Sequence, residues 1–300
     1  MSAEKRVHGI LNIDKPSGLT SHDVVAEVRR LVGVRRVGHA GTLDPIATGV
    51  LLVCLGQATR VAEYLMQGEK HYRATFHLGI ETNTYDANGT VVRETPLPAL
   101  GIEEIERALE QLRQIEQQLP PPFSAVRQGG ERLYRLARRG IAVQLRPRPI
   151  KITALEMIAW QPPLLTLDIR CSPGTYVRSL AHDLGTRLGV GGHVRALQRL
   201  ASGSWRLEEA VTLEQLRIAV AQGDWMKYLH PLDAALQNLP RLEVTEEMAA
   251  HLAQGRCVPL PDASATFPLR IYAPNGSLCA LVRPANGKPG WWQPDKVFLL

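Results

Sequence analysis

Residues 37–55 read VGHAGTLDPIATGVLLVCL. An irregular opening with two glycines and a histidine leads to Asp44, which stands directly before Pro45; Gly49 and the apolar run from Val50 to Leu55 follow. Proline has no N–H to satisfy and suits the first position of a helical turn, so Asp44 is predicted at the N-cap, accepting from free backbone donors. The sequence thus predicts one fixed, ionised carboxylate on a glycine-bounded loop, with His39 and Thr42 near it along the chain. The plainer alternative is that Asp44 does no more than cap a short helix.

Outward from this loop, residues 9–14 (GILNID) read as a short strand and Lys15-Pro16-Ser17-Gly18 as a turn, with Lys15 at the surface. Thr20 and Asp23 form a capping box for a helix running to about Leu31, with Gly33 beyond its end. From His71 the apolar positions Tyr72, Ala74, Phe76 and Leu78 alternate, the period of a half-buried strand. Gly101 precedes a helix predicted from Ile102, Ile105, Leu109, Leu112, Ile115 and Leu119, ended by the prolines from Pro120. Residues 150–160 and 164–171 read as an antiparallel hairpin, and Gly174-Thr175 turns the chain into a helix with Val177, Leu180, Ala181 and Leu184 inward. Thr212 and Gln215 cap another helix. Near Pro240 the composition shifts: a helical unit at 242–252 precedes brief strand candidates at 268–273, 278–283 and 296–300.

Bulk properties narrow the function. The 300 residues are 45% hydrophobic, enough for a sizeable core and too evenly spread for a membrane span. The N-terminus lacks a long apolar segment, so no secretory signal is expected and the cytoplasm is the default. Cys54, Cys171, Cys257 and Cys279 are scattered, and the nine histidines form no ligand pair, so neither disulfides nor a metal is expected. No strand–GxGxxG–helix signature suggests a dinucleotide enzyme. The net charge of +6 is uneven: residues 121–150 hold seven arginines against Glu131, and Arg29, Arg30, Arg35 and Arg36 precede the Asp44 loop. Such bands favour a polyanionic partner.

Four stretches in one order resemble a known family. GTLDP around Asp44, Tyr72-Arg73-Ala74, the insertion SAVRQGGERLYRLARRG and GTYVR ending at Arg178 are similar to motifs of the TruB family of tRNA pseudouridine synthases. The resemblance spans residues 8–236 well and 240–300 loosely. It implies an α+β fold: a mixed, mainly antiparallel pseudouridine-synthase sheet core with flanking helices, and a small mostly β C-terminal RNA-binding domain. The division expected is a catalytic domain over 1–238, with the basic insertion at about 120–150, and an appendage over 239–300.

The implied reaction is isomerisation of uridine 55 in the T loop of tRNA by glycosidic cleavage, base rotation and C–C rejoining. It needs neither redox chemistry nor net hydrolysis, so no cofactor is expected. By resemblance Asp44, Tyr72 and Arg178 carry the chemistry: Asp44 attacks C1′ or acts as base in a glycal route, Arg178 keeps it ionised, and Tyr72 stacks on the base. His39, Tyr176 and Leu200 would hold the everted nucleotide, and Lys15 would support the loop. Arg127, standing where lysine is usual, would join Arg132, Arg135, Arg138 and Arg139 on phosphates. The expected partner is the T-arm stem-loop of tRNA, with no membrane, no obligate protein partner and a monomeric state. Two rivals remain: a tRNA-binding or folding protein with secondary or lost catalysis, and a synthase for another RNA.

Overall fold

The computed structural model describes residues 7–124, 127–128, 131–132, 139, 145–260 and 267–298. Its main body is a mixed sheet in which the apolar run of the opening motif becomes a central strand. Strand β1 (Gly9–Lys15) leads into helix α1 (Ser21–Val32), β2 (Val37–Ala40), β3 (Thr48–Leu55) and β4 (Lys70–Leu78). Helix α2 (Ile102–Arg113), the hairpin β5 (Ile152–Gln161) and β6 (Leu164–Cys171), helix α3 (Val177–Arg187), β7 (Gly192–Ser202), β8 (Val211–Thr212) and helix α4 (Leu213–Gln222) follow. The sheet order is β5-β6-β4-β7-β3-β1-β8, with β2 beside β3. The contacts β7–β3 and β1–β8 are parallel and the other neighbours on this path are antiparallel, so the expected mixed, mainly antiparallel core is present.

Local rules account for much of this. Thr20 accepts from the Asp23 amide while Asp23 accepts from that of Thr20, and α1 ends at left-handed Gly33 (φ 67°). The same reciprocal box forms between Thr212 and Gln215 at α4. On β4 the residues Tyr72, Ala74, Phe76 and Leu78 are buried beneath α2 and α3, in one apolar cluster with Leu109, Leu167 and Leu180.

Three expectations need correction. Helix α2 stops at Arg113 and Leu119 is exposed, because Gln118 is drawn out to bond the backbone of Tyr176 in both directions (2.8 and 3.1 Å); Ile102, expected inward, is exposed as the first residue of the helix. Asp44 caps no helix: the amide of Ala47 donates to the Asp44 carbonyl at 3.0 Å, so Pro45 forms a turn entering β3. In the C-terminal region Arg241–Glu243 is a strand, and the helix there is Glu246–Ala253, capped by Thr245.

The latter helix packs on a second, five-stranded sheet built from residues 241–243, 258–259, 269–272, 278–284 and 291–297. This sheet has its own core around Leu252, Ile271 and Val282. Tyr272, Leu278, Leu281 and Phe298 instead join Ile10, Val50, Leu52 and Cys54 on the other face of the main sheet. Among the described residues no helix is long and apolar enough to cross a membrane.

Candidate active site

Asp44 sits on a loop that is pinned from several sides. Ser21, the first residue of α1, donates to the Leu43 carbonyl (3.1 Å) and accepts from the Leu43 amide (2.8 Å). The Gly18 amide donates to the Pro45 carbonyl at 2.8 Å. Lys15 is not the surface residue expected but is wholly buried, with Nζ donating to the carbonyls of Pro16 (2.8 Å), Leu19 (2.6 Å) and Pro45 (3.4 Å). Burial lowers its pKa to about 8, with Asp44 opposing. In this position Lys15 ties the β1–α1 turn to the residue after Asp44 and offers no exposed charge to a substrate.

Arg178 comes from the first turn of α3, where a cation is disfavoured by the helix dipole. Its side chain is compensated by a fork on Asp44: Nε lies 2.9 Å from one carboxylate oxygen and Nη2 donates to the other at 3.1 Å. Nη1 donates to the carbonyls of Thr84 and Phe123, each at 3.1 Å, and lies 3.6 Å from the buried carboxylate of Asp86. Asp86 is in turn held by the Thr84 hydroxyl (2.7 Å) and the Asn88 amide (3.1 Å). The Arg178 side chain is 6% exposed and that of Asp44 31%, so a ligand atom can reach the carboxylate and not the guanidinium.

Electrostatics modify the simple expectation that Arg178 lowers the Asp44 pKa. Desolvation in the cleft raises it above the ordinary aspartate value and Asp86 adds to this, while Arg178 and Lys15 oppose. Tyr72 is buried on β4; burial pushes its phenol up, a nearby Arg199 opposes, and the charge of Asp44 is close enough to be felt.

Other candidates scatter around this centre. His39 is half-buried on β2 with its ring 5.4 Å from that of His22. Tyr176 precedes α3 with its backbone clamped by Gln118, and burial raises its phenol pKa. Leu200 is half-buried and outside the apolar cluster containing Tyr72, whereas Leu197 lies within it. Arg127 and Arg132 are backbone partners in a short strand pair, and Arg139 is exposed in a turn. Arg135 and Arg138 lie outside the described residues. Among the described residues no three of histidine, cysteine, aspartate and glutamate gather as a metal site would require.

Sequence reasoning missed Gln118, Asp86 and Arg199. Asp86 is the one acid in the polar stretch TNTYDANG at 82–89, a turn signal that could have drawn attention to it. The other two carry no local signal, because their partners are 58 or more residues away in the chain.

Residues 29–177 match the family described as TruB family pseudouridylate synthase (N terminal domain), and residues 178–237 match the tRNA pseudouridylate synthase B C-terminal domain. The chain belongs to the TruB family. It is 45% identical over 249 residues to the tRNA pseudouridine synthase B of Syntrophotalea carbinolica, covering 83% of this chain and 81% of that one. It is 43% identical to the protein of the same name from Syntrophobacter fumaroxidans, over 96% and 94% of the two chains. Among solved structures, a chain of a Cbf5-Nop10-Gar1 complex superposes with a TM-score of 0.74 at 27% identity, covering 97% of this chain and 85% of the other. The two TruB segments meet between Val177 and Arg178, yet one sheet runs through both, so the Asp44–Arg178 pair joins them.

Proposed function

We propose that this TruB-family chain is the isomerase that converts uridine 55 in the T loop of tRNA to pseudouridine. The observation that carries the reading is the carboxylate of Asp44, open on one side, forked by a buried Arg178 and set beside a buried tyrosine. Such a site has what the isomerisation needs. A single carboxylate meets cationic character at C1′, or removes the proton that starts a glycal route. Arg178 fixes its two oxygens, so little reorganisation is needed as charge develops. Tyr72 presents its ring to the base, and His39, on β2 just ahead of the Asp44 loop, holds the nucleotide out of its stack.

The partner in this reading is the T-arm stem-loop of tRNA. Phosphate contacts come from Arg127, Arg132, Arg135, Arg138 and Arg139, and residues 239–300 serve as an RNA-binding appendage on a catalytic unit of 1–238. The protein works as a cytoplasmic monomer without a cofactor or an obligate protein partner.

The test uses an unmodified tRNA transcript with labelled uridine, purified protein and no added metal. The parent is expected to place pseudouridine at position 55, and Asp44→Asn to lose about 10³-fold or more of the single-turnover rate. Tight tRNA binding by both proteins with product from neither would overturn catalysis. Product at another position would overturn the substrate.

A further inference from the structure

Arg199 is among the largest fully buried side chains of the protein and is 1% exposed. Burying a guanidinium is costly, and it normally takes a carboxylate with it. Here the bonded partners are carbonyl oxygens: Nε donates to Val50 (2.7 Å), Nη2 to Gly41 (3.0 Å) and Nη1 to Thr42 at the limit of 3.5 Å. Gly41 and Thr42 lie just before Leu43 and Asp44, and Val50 lies just after the turn. One side chain therefore grips the Asp44 loop at both ends.

Its backbone holds the same loop. In the β7–β3 ladder Arg199 pairs with Gly49, whose φ is 95°. A Cβ added to Gly49 would lie 2.2 Å from the Arg199 carbonyl oxygen, so the two backbones are in closest approach here. On the opposite edge of β7, the backbone of Arg199 pairs with that of Tyr72, and its charge is close enough to oppose the upward shift of the Tyr72 phenol. Arg199 thus touches the Asp44 loop with its side chain and the strand carrying Tyr72 with its backbone. Arginine suits the task because its planar fork can serve several acceptors at once, whereas a lysine is a point donor with three hydrogens.

We propose that Arg199 is a positioning residue for the isomerisation, tying the Asp44 loop to the β4 strand at Tyr72 so that Asp44 and Tyr72 flank the target nucleoside at a fixed separation. The assignment rests on the synthase reading above. Lys15 and Ser21 hold the loop from the side of α1; Arg199 holds it from the side of β4.

The test compares the parent with Arg199→Lys and Arg199→Gln by single-turnover pseudouridine formation, tRNA affinity and thermal melting. A displacement of about 1 Å in a reacting constellation costs on the order of 10²-fold. Arg199→Gln is expected to lose about 10²-fold in single-turnover rate with tRNA affinity within about threefold, while Arg199→Lys, which keeps the charge, recovers part of the rate. The assay is run well below the melting point of each variant, so unfolding cannot imitate the effect. A 3-fluorotyrosine at position 72, followed by ¹⁹F NMR, should show its phenol titrating at higher pH in Arg199→Gln, because a neighbouring cation has gone. An active parent with an unchanged rate in folded Arg199→Gln overturns the assignment and leaves the synthase reading standing. A rate loss matched by an equal loss of tRNA affinity also overturns it. A parent that makes no pseudouridine overturns the synthase reading and the assignment with it.

Discussion

At the scale of single residues the site is governed by the competition between desolvation and pairing at Asp44. Desolvation raises its pKa, so the acid limb of the rate profile should fall above the ordinary aspartate value near 3.8. The sign for stability follows from proton binding. The native carboxyl keeps its proton to higher pH than the unfolded one, so the Asp44 contribution to stability is greatest below the unfolded value. It is lost as pH rises through the native value. Arg178 opposes the rise, and its replacement by methionine should move the acid limb to still higher pH while lowering the rate near pH 7. A single-turnover pH series on parent and Arg178→Met checks this; an acid limb that stays in place or moves down would show that Arg178 does not hold the Asp44 charge. Lys15 shows the opposite case. Its native pKa of about 8 lies below the ordinary lysine value, so its buried charge costs stability at neutral pH, and that cost is relieved as pH rises from about 8 toward the unfolded value. Three carbonyls nevertheless need its protons, and methionine there should leave them unsatisfied and loosen the turn at Pro45.

At the scale of elements, the decisive contacts connect segments that are distant in the chain. Gln118 is the clearest instance: its amide both donates to and accepts from the backbone of Tyr176, two residues before Arg178. We expect Gln118→Ala to cost about 1–3 kcal/mol in urea unfolding, because the Tyr176 amide and carbonyl lose their partner. The single-turnover rate should fall as well, since the start of α3 aims Arg178 at Asp44. Loss of stability at an unchanged rate would confine Gln118 to a structural role. Gly49→Ala should be harsher, because β7 and β3 would have to separate to admit the Cβ; a loss of about 3 kcal/mol or more in the same assay is expected.

The same contrast explains which features the sequence discloses. The caps of α1 and α4 and the alternation of β4 depend on residues within four positions of one another, and they appear in the structure as the sequence predicts. The early end of α2, the burial of Lys15 and the grip of Arg199 depend on partners brought by the sheet. An apolar spacing extending to Leu119 contains no information about Tyr176, and a lysine before a proline reads as surface until the Pro45 carbonyl closes over it. Asp44, Tyr72 and Arg178 were legible only as motifs: spacing alone assigns each an ordinary structural role, and the fork between Asp44 and Arg178 spans 134 positions.

At the scale of the whole molecule, the outer face of the main sheet is finished by the C-terminal unit. Ile10, Val50, Leu52 and Cys54 point away from the α2–α3 side, into a cluster completed by Tyr272, Leu278, Leu281 and Phe298. Polar contacts seal the edge: Tyr272 donates to Asp233 at 2.7 Å, Lys296 pairs with Glu63 at 2.6 Å, and Arg60 donates to the Val297 carbonyl. Val50 is also the carbonyl that Arg199 grips, so the same short stretch of β3 serves the active-site loop and the docked unit. If residues 239–300 form a separate RNA-binding unit, that unit is also part of the scaffold. Truncation after residue 238 would remove four large apolar side chains from this cluster, at about 1.5 kcal/mol or more for each. The sum, on the order of 6 kcal/mol, is a large fraction of the stability of an ordinary domain. We therefore expect the truncated chain to melt well below the parent, to bind a hydrophobic dye and to lose activity through the Asp44 loop as well as through weaker tRNA binding. A truncated chain that melts with the parent and keeps its single-turnover rate at saturating tRNA would show that the appendage contributes to affinity alone.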